Sequence, residues 1–340
     1  MWYTKRKKYC QKGNKDMSEL ILSLIDFEEK DLAQLRLMAG ERKLITKAEL
    51  GGEIPDEVWE NAVMILGNPT PDQLKKAENL RLLQLQSAGA DNYCKPGVLP
   101  EEVALCNATG SYGLAIAEYM VGVTLMMAKK LHLYRDQQFA GVWRDLGPVM
   151  PISGSSVLVI GLGDIGTEYA MRMYTLGANI TGVTRTVKEG PPFVEKMATT
   201  ESLDELLPEA DIVALALPGG KSTAGIMNEH RIGLMKEGAL LINVGRGTAI
   251  DTEALTKALA EGRLGGAALD VTDPEPLPVG HPLWNQPRAV ITPHISGGLH
   301  LRDIYKKLVV RCIRNVAAFT QHRPLESLVD RKTGYTYTKE

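Results

Sequence analysis

Three polar side chains lie in separate segments that each follow a predicted buried strand. Arg246 lies in INVGRG, Glu275 in ALDVTDPEP and His294 in VITPHISGG. Because ligands of open α/β sheets bind at the carboxyl ends of the strands, we expect these side chains to converge on one crevice. Taken singly, each also has a structural interpretation, as a helix-flanking cation, a surface acid and a hydrogen-bonded loop histidine.

Together the three residue types suit one kind of acid–base chemistry. An arginine binds a carboxylate through two parallel hydrogen bonds and stays charged at any working pH. An imidazolium donates a proton to a developing alkoxide. Since a free histidine has a pKa of only about 6.5, a neighbouring glutamate helps to keep the ring charged and orients it. A carbonyl beside a carboxylate, as in a 2-oxo acid, is the group that this set fits.

A glycine-rich turn lies upstream, between an apolar strand and a predicted helix. In SSVLVIGLGDIG, Gly161 permits a tight turn, Gly163 lets the backbone approach a pyrophosphate, and Gly166 lets helix and strand pack closely. The amides and positive dipole end of the helix then face the diphosphate. This context predicts dinucleotide binding, which would supply a nicotinamide to the acid–base set. The alternative is a glycine turn that binds nothing.

The segment after the following strand is the place where such sites distinguish NAD from NADP. NAD sites usually carry an Asp or Glu there, about 20 residues after the glycine turn. The segment VTRTVK has no carboxylate, and Arg185 flanked by Thr184 and Thr186 suits a 2′-phosphate. We therefore expect NADP(H) to be preferred, with NAD(H) possible if Arg185 is only a solvated cation.

Predicted strands and helices alternate along the chain, which favours a parallel α/β fold. The first third has predicted strands over 19–24, 62–66 and 82–85 and helices over 28–38 and 71–79. A second series of strands has the rhythm of a doubly wound sheet, over 156–160, 179–183, 211–217, 239–244, 266–269 and 289–291. One long apolar helix is predicted over 112–138 and an amphipathic one over 301–319, with a polar tail from Gln321 that frays.

Composition limits the remaining possibilities. The 340 residues suggest about two domains, at roughly 150 residues each. A net charge of -2 provides no broad basic face for nucleic acid, and the longest apolar run, 119–128, is short of the ~20 residues that a membrane helix needs. Four dispersed cysteines without a CxxC indicate reduced thiols, no metal site and a cytoplasmic protein. The basic stretch 1–16 is expected to be a disordered extension.

The chain resembles the D-2-hydroxyacid dehydrogenase family, because several sequence motifs of that family occur here in the same order. LQLQSAGAD (83–91) is similar to the substrate-domain loop of that family, and LALPGGKSTAGIMN (215–228) to its strand and turn beside the cofactor. The arginine, glutamate and histidine segments match as well, over 241–251, 265–278 and 281–298. Two departures stand out: Thr184-Arg185 replaces the usual acidic residue, and VTDP replaces an aromatic-acidic run before Glu275.

The resemblance implies roles for individual residues. Arg246 would bind substrate, Glu275 would pair with the acid and His294 would be the proton donor. Backbone amides of Ala88, Gly89 and Ala90 would help Arg246 hold the substrate carboxylate. The glycine-turn motif, the selector segment and the resemblance together give the predicted cofactor residues, which are Gly161, Gly163, Asp164, Ile165, Gly166, Thr184, Arg185, Thr186, Pro218, Thr223, Val244, Gly245 and Asp270.

The resemblance also implies an architecture and an activity. A Rossmann domain, 118–297, would be inserted into a smaller flavodoxin-like substrate domain formed by 1–117 and the helix in 298–340. The enzyme would transfer a hydride between NAD(P)H and a small 2-oxo acid, with glyoxylate and hydroxypyruvate as lead substrates and 3-phosphoglycerate as the alternative. A homodimer is expected, formed through the helix over 112–138. A nucleotide-sensing corepressor is the alternative from another class of protein. Trp143, Tyr112 and Trp284 are further pocket candidates, although core packing is the preferred interpretation of each.

Overall fold

The structure is a computed structural model that describes residues 19–186, 189–298, 301–334 and 336. The predicted extension over 1–16 lies outside these residues. The chain divides into a first unit, formed by Met1–Ser111 and Arg302–Glu340, and a second unit, Tyr112–Leu301. The junction predicted at 117 falls inside the second unit, because the helix that begins at Gly113 belongs to this unit as a whole. The junction predicted at 297 lies inside it as well.

The first unit contains a parallel sheet of five strands in the order β2-β1-β3-β4-β5, which is the flavodoxin-like order. Its strands are β1 Leu20–Ser23, β2 Lys43–Thr46, β3 Ala62–Leu66, β4 Leu82–Gln84 and β5 Ala104–Cys106. The helices are α1 Glu29–Ala39, α2 Asp56–Glu60 and α3 Pro71–Lys76, and a capping box of Thr70 and Gln73 starts the last of them. Strands β1 and β3 are wholly buried, as parallel strands covered on both faces must be.

The C-terminal helix, Arg302–Thr320, belongs to the first unit. The prediction that the tail from Gln321 frays is wrong for its described part. Val329 N donates to Leu105 O at 2.8 Å, and Arg331 Nη1 donates to Leu99 O and Pro100 O at 3.0 and 2.8 Å. The tail therefore supplies partners to backbone groups beside β5.

The second unit contains a parallel sheet of seven strands in the order β12-β11-β10-β9-β6-β7-β8. From the other edge this is the Rossmann order 3-2-1-4-5-6 with one further strand. Its strands are β6 Ser156–Ile160, β7 Asn179–Thr184, β8 Lys196–Thr199, β9 Ile212–Leu215, β10 Leu240–Asn243, β11 Gly266–Leu269 and β12 Ala289–Ile291. Its helices are α4 Gly113–Ala128, α5 Leu131–Phe139, α6 Asp164–Thr175, α7 Leu203–Leu206, α8 Glu229–Leu234 and α9 Thr252–Ala260. The predicted Rossmann and flavodoxin-like α/β architecture is confirmed.

The single helix predicted over 112–138 is divided in the structure into α4 and α5. Lys130 lies between them in the left-handed region, with φ of 57°. The segment before β6 supplies competing contacts, because Met150 N donates to Ala128 O at 3.0 Å and Lys130 Nζ donates to Leu146 O at 2.7 Å. Trp143, for which core packing was preferred, is fully exposed, whereas Tyr112 is buried.

The cysteines and the helices of the described ranges can be compared with the expectations drawn from composition. Cys94, Cys106 and Cys312 are unpaired thiols, and the latter two are buried. None of the helices in these ranges combines the length and the apolar character that a membrane crossing requires.

Candidate active site

Glu275 and His294 form a direct pair in the second unit. The segments that carry them follow β11 and β12, which are neighbouring strands. His294 Nδ1 lies 2.7 Å from Glu275 Oε1, and the two side chains are 48% and 43% exposed. Since an ionised carboxylate only accepts, Nδ1–H is the donor. His294 Nε2 has no hydrogen-bond partner among the described residues.

A buried carboxylate holds the loop that carries His294. Asp270, at the end of β11, is 1% exposed. Its Oδ1 accepts from Thr292 Oγ1 at 2.6 Å and from Ile295 N at 2.9 Å. Its Oδ2 accepts from Ser296 N at 3.0 Å and from Ser296 Oγ at 2.5 Å. A carboxylate offers about four acceptor positions, and the four hydrogen bonds from the loop occupy all of them.

The same loop fixes the backbone of His294 itself. His294 has φ of 54°, in the left-handed region that histidine visits more readily than most residues. Its N donates to Asp270 O at 2.9 Å. Asp270 thus holds the loop through its main chain and its side chain, which makes it a positioning residue for His294. Its predicted contact with the cofactor remains a prediction.

A hydroxyl relay joins helix α4 to this loop. Tyr119 OH lies 2.7 Å from Thr292 Oγ1. Since Thr292 gives its one proton to Asp270, Tyr119 is the donor to Thr292. Burial raises the pKa of Tyr119 to about 12, so the phenol keeps its proton in the neutral range. The sequence offers no signal for this link, because Tyr119 is 173 residues from Thr292 along the chain.

Arg246 follows β10, the strand next to β11. Asn243 shapes its turn, accepting from Gly245 N at 3.0 Å and donating from Nδ2 to Arg246 O at 2.9 Å. A Cβ on Gly247 would lie 1.9 Å from Thr272 O, so the arginine segment contacts the backbone of the glutamate segment. The structure therefore brings the segments of all three predicted catalytic residues to the carboxyl ends of three adjacent strands.

In the glycine turn, Gly161 and Gly166 are closely packed by neighbouring atoms, whereas Gly163 faces open space. Gly161 has φ of 102°, and a Cβ there would lie 2.7 Å from Ala216 O. A Cβ on Gly166 would lie 1.9 Å from Gly161 O, whereas one on Gly163 would meet no atom within 4 Å. Helix α6 begins directly after Gly163, so its first-turn amides adjoin that open position. This cradle fits a dinucleotide diphosphate.

The predicted cofactor residue Asp164 has an internal contact as well. Its Oδ2 accepts from Gly113 N, the first amide of α4, at 2.8 Å. A carboxylate at the start of a helix is favourable, because it meets unpaired amides and the positive end of the dipole. Ile165 beside it is half-buried.

The other predicted cofactor residues lie at the ends of strands or in the loops that follow. Thr184 ends β7 and donates to Thr186 O at 2.8 Å, while Arg185 and Thr186 are exposed. Thr223 Oγ1 donates to Pro218 O at 2.8 Å and closes the loop after β9. Val244 is buried, and a Cβ on Gly245 would lie 2.5 Å from Leu217 O. Ala88, Gly89 and Ala90 lie in the first unit, after β4.

Comparison with known proteins assigns this architecture to a family. The model of the D-isomer specific 2-hydroxyacid dehydrogenase NAD-binding domain matches residues 121–296. A glyoxylate reductase of Thermofilum pendens is 33% identical over 69% of this chain and 71% of its own. A D-3-phosphoglycerate dehydrogenase of Methanocaldococcus jannaschii is 31% identical over 74% of this chain and 48% of its own.

A solved structure gives the same result for the fold. The D-isomer specific 2-hydroxyacid dehydrogenase of Xanthobacter autotrophicus Py2, in complex with NADPH and MES, has a TM-score of 0.78 and 26% identity. The match covers 94% of this chain and 100% of the other. The chain belongs to the D-isomer specific 2-hydroxyacid dehydrogenase family. It is an NAD(P)-dependent oxidoreductase that interconverts a small 2-oxo acid and its 2-hydroxy acid. These relatives do not support the corepressor alternative.

Proposed function

We propose that the protein reduces glyoxylate and hydroxypyruvate with NADPH, and that Arg246, Glu275 and His294 are its catalytic residues. The observation that carries the proposal is the 2.7 Å contact of His294 Nδ1 with Glu275, which leaves Nε2 available as an acid. The relative named glyoxylate reductase supports the choice of substrates.

Each of the three side chains has a distinct task in this proposal. The Arg246 guanidinium binds the substrate carboxylate and polarises the adjacent carbonyl. The nicotinamide, when bound, supplies or accepts the hydride. His294 Nε2 gives its proton to the carbonyl oxygen as negative charge develops there. Glu275 accepts from Nδ1–H, which fixes the orientation of the ring.

A panel of 2-oxo acids tests the substrate assignment. We expect NADPH consumption with glyoxylate and hydroxypyruvate, and a much lower kcat/KM with phosphohydroxypyruvate, the 2-oxo partner of 3-phosphoglycerate. The relative named D-3-phosphoglycerate dehydrogenase supports that last compound as the alternative. If phosphohydroxypyruvate gives the highest kcat/KM, the alternative is correct. If none of the three is reduced with either cofactor, the proposed function fails.

We also propose that NADP(H) is preferred over NAD(H). Arg185 is exposed directly after β7, and Thr184 and Thr186 flank it with hydroxyls. The Arg185 guanidinium and the Thr186 hydroxyl suit a 2′-phosphate, and the described part of that segment, 184–186, has no carboxylate to accept from a free ribose diol. The relative of Xanthobacter autotrophicus was solved with NADPH, which supports the same choice.

Arg185→Ala tests the cofactor preference. A charge-assisted hydrogen bond contributes about 1.5–3 kcal/mol, so the dissociation constant of NADPH should rise about 10- to 150-fold. The dissociation constant of NADH should change little, because NADH has no 2′-phosphate. Fluorescence titration of both cofactors measures the two constants. Equal losses for NADH and NADPH, or a parent that favours NADH, would contradict the proposed selector.

We further propose a cytoplasmic homodimer. The segment 131–143 exposes four large apolar side chains, namely Leu131, Phe139, Val142 and Trp143. Concentrated apolar exposure of this kind is typical of an interaction surface. Light scattering should give about twice the chain mass of 37.2 kDa, and Trp143→Asp should lower it. A parent that is monomeric at micromolar concentration would contradict the dimer. The unpaired Cys94, Cys106 and Cys312 support a reducing compartment.

A further inference from the structure

We propose that Asn107 and Ser87 are positioning residues that aim the backbone N–H groups of Gly89 and Ala90 at the substrate carboxylate. The inference rests on the proposed function, since it concerns the loop predicted to hold the carboxylate of a 2-oxo acid. It adds two side chains of the first unit, neither of which the sequence identified.

Two consecutive carbonyls of the loop are held by these side chains. Asn107 Nδ2 donates to Ala88 O at 2.6 Å, and Ser87 Oγ donates to Gly89 O at 2.8 Å. The peptide bonds that follow both carbonyls are trans, and in a trans peptide the N–H points opposite to the C=O. The N–H of Gly89 therefore faces away from Asn107, and that of Ala90 faces away from Ser87. Neither donates to any acceptor in the described parts of the chain.

The donors are fixed in their orientation by further hydrogen bonds. Asn107 Oδ1 accepts from Thr109 N at 3.2 Å, which determines the side of the amide that faces Ala88 O. Ser87 Oγ accepts from Asn68 Nδ2 at 3.0 Å, so its own proton is directed to Gly89 O. Asn68 Oδ1 in turn accepts from Gln86 N at 3.0 Å. A 180° rotation of either side-chain amide would place its NH2 group against a backbone N–H, that of Thr109 for Asn107 and that of Gln86 for Asn68.

A buried network of side-chain amides, formed by Gln84 and Asn315, holds the backbone of Asn107. Gln84 Nε2 donates to Asn107 O at 3.2 Å, and Asn315 Nδ2 of the C-terminal helix donates to Gln84 Oε1 at 2.5 Å. Asn107 is 2% exposed, and Gln84 and Asn315 are each 0% exposed. A fully satisfied buried polar network rigidifies the segment that it holds, here the loop after β4.

The chemistry of two fixed N–H donors favours a carboxylate. A carboxylate presents two charged oxygen acceptors, whereas a primary amide presents one neutral acceptor and an NH2 group that would oppose a donor. The parent should therefore reduce glyoxylate with a far higher kcat/KM than glyoxylamide. Weakening of this discrimination is the signature of a misaimed loop, since a general loss of structure would lower both values.

Asn107→Asp tests the inference with an isosteric change. The variant places a carboxylate oxygen against Ala88 O in place of the donor, which turns the peptide. We expect the KM for glyoxylate to rise about 10- to 100-fold, the preference over glyoxylamide to fall, and the dissociation constant of NADPH to stay unchanged. Asn79→Asp is the matched control, because Asn79 Nδ2 also donates to a carbonyl of the first unit, Glu60 O at 2.7 Å, on the exposed surface.

Ser87→Ala and Ser87→Thr keep the test decisive if Asn107→Asp lowers the melting temperature. Ser87→Ala should raise the KM for glyoxylate, and Ser87→Thr should restore it because the hydroxyl is retained. Parent-like KM values and discrimination in both Asn107→Asp and Ser87→Ala would overturn the inference.

Titration of the NADP(H)-saturated protein with oxamate, an unreactive isostere of a 2-oxo acid, separates this inference from the proposed function. If the parent reduces no 2-oxo acid yet binds oxamate, and Asn107→Asp weakens that binding about 10-fold or more, the positioning role stands and the proposed function fails. If the parent does not bind oxamate, the positioning role is wrong.

Discussion

Hydrogen bonds fix both the side chain and the main chain of His294, and its Nε2 has no partner among the described residues. Its Nδ1 contacts Glu275 Oε1 at 2.7 Å, and its main chain is bonded to Asp270, whose side chain holds the residues on either side. A general acid works when its reactive atom has one well-defined position and its charged form is favoured near the operating pH. The contacts of Nδ1 and of the loop supply the well-defined position.

Glu275→Gln isolates the electrostatic part of this arrangement. A glutamine can still bond to the ring but carries no charge, so the protonated imidazole loses its counterion. Because the ring gives its proton from the charged form, loss of this charge-assisted hydrogen bond should lower kcat about 10-fold or more. Glu253→Gln is the matched control, since Glu253 Oε1 lies 3.2 Å from Nε2 of His281, a pair that the mechanism does not use. An unchanged kcat in Glu275→Gln would remove Glu275 from the mechanism.

For the single residues of the site, the sequence identifies the charged groups but not the residues that orient them. Arg246, Glu275 and His294 stand out by type and by their places after predicted strands. For Asp270 the sequence predicts a place near the nicotinamide, which stays a prediction, but it does not predict the hydrogen bonds to Thr292, Ile295 and Ser296 that use the carboxylate. Asn107 and Tyr119 gave no signal, because their partners are distant in sequence.

Among the elements, the strand–turn–helix of β6 and α6 shows how one motif combines folding and binding. Gly161 and Gly166 leave no room for a Cβ, whereas Gly163 has open space and ordinary dihedral angles, with φ of -83°. The space around each glycine is consistent with the roles expected from the motif, since Gly161 and Gly166 are needed for the fold and Gly163 is open to a ligand.

A pair of alanine substitutions tests that division of roles. Gly166→Ala should lower the melting temperature, since its Cβ would lie 1.9 Å from Gly161 O. Gly163→Ala should keep the parent melting temperature and raise the dissociation constant of NADPH, because the added methyl occupies space next to the helix amides. Calorimetry and fluorescence titration give the two values for each variant. Unchanged NADPH affinity in a stable Gly163→Ala would place the diphosphate elsewhere.

The bounds of four strands were predictable from the sequence, whereas three short edge strands were not predicted. The predicted bounds of β3, β6, β11 and β12 agree with the structure. Strands β2, β5 and β8 lie at sheet edges and have only three or four residues each, which is too few to establish a hydrophobic period. The division of α4 from α5 arises from contacts with the segment 146–150, which a local pattern cannot contain.

Over the whole molecule, buried groups that ionise in alkaline solution make stability depend on pH. Burial raises the pKa of the Cys312 thiol to about 12, and it also raises the pKa of the Cys106 thiol and of the Tyr169 phenol. The unfolded chain releases these protons at lower pH than the folded chain. Above about pH 8.5 the unfolded state therefore binds fewer protons, and the free energy of unfolding falls as the pH rises.

Thermal unfolding between pH 7.5 and 10.5 measures this dependence. Each fully buried thiol or phenol should lower the free energy of unfolding by up to about 1.4 kcal/mol per pH unit above its unfolded pKa. The melting temperature should therefore fall across this range, and less steeply in Cys312→Ala, which removes one such group. A flat profile in the parent would contradict the burial of these side chains.

In the proposed reaction His294 protonates the product oxygen during reduction of a 2-oxo acid, and the kcat of His294→Asn measures that contribution. The measurement compares NADPH-dependent reduction of the best 2-oxo acid by parent and variant, with the dissociation constant of NADPH determined alongside. General acid catalysis contributes about 10²–10⁴ in rate, so kcat should fall roughly 100-fold or more while NADPH affinity is unchanged. A variant with intact NADPH binding and near-parent kcat would show that the proton comes from another group.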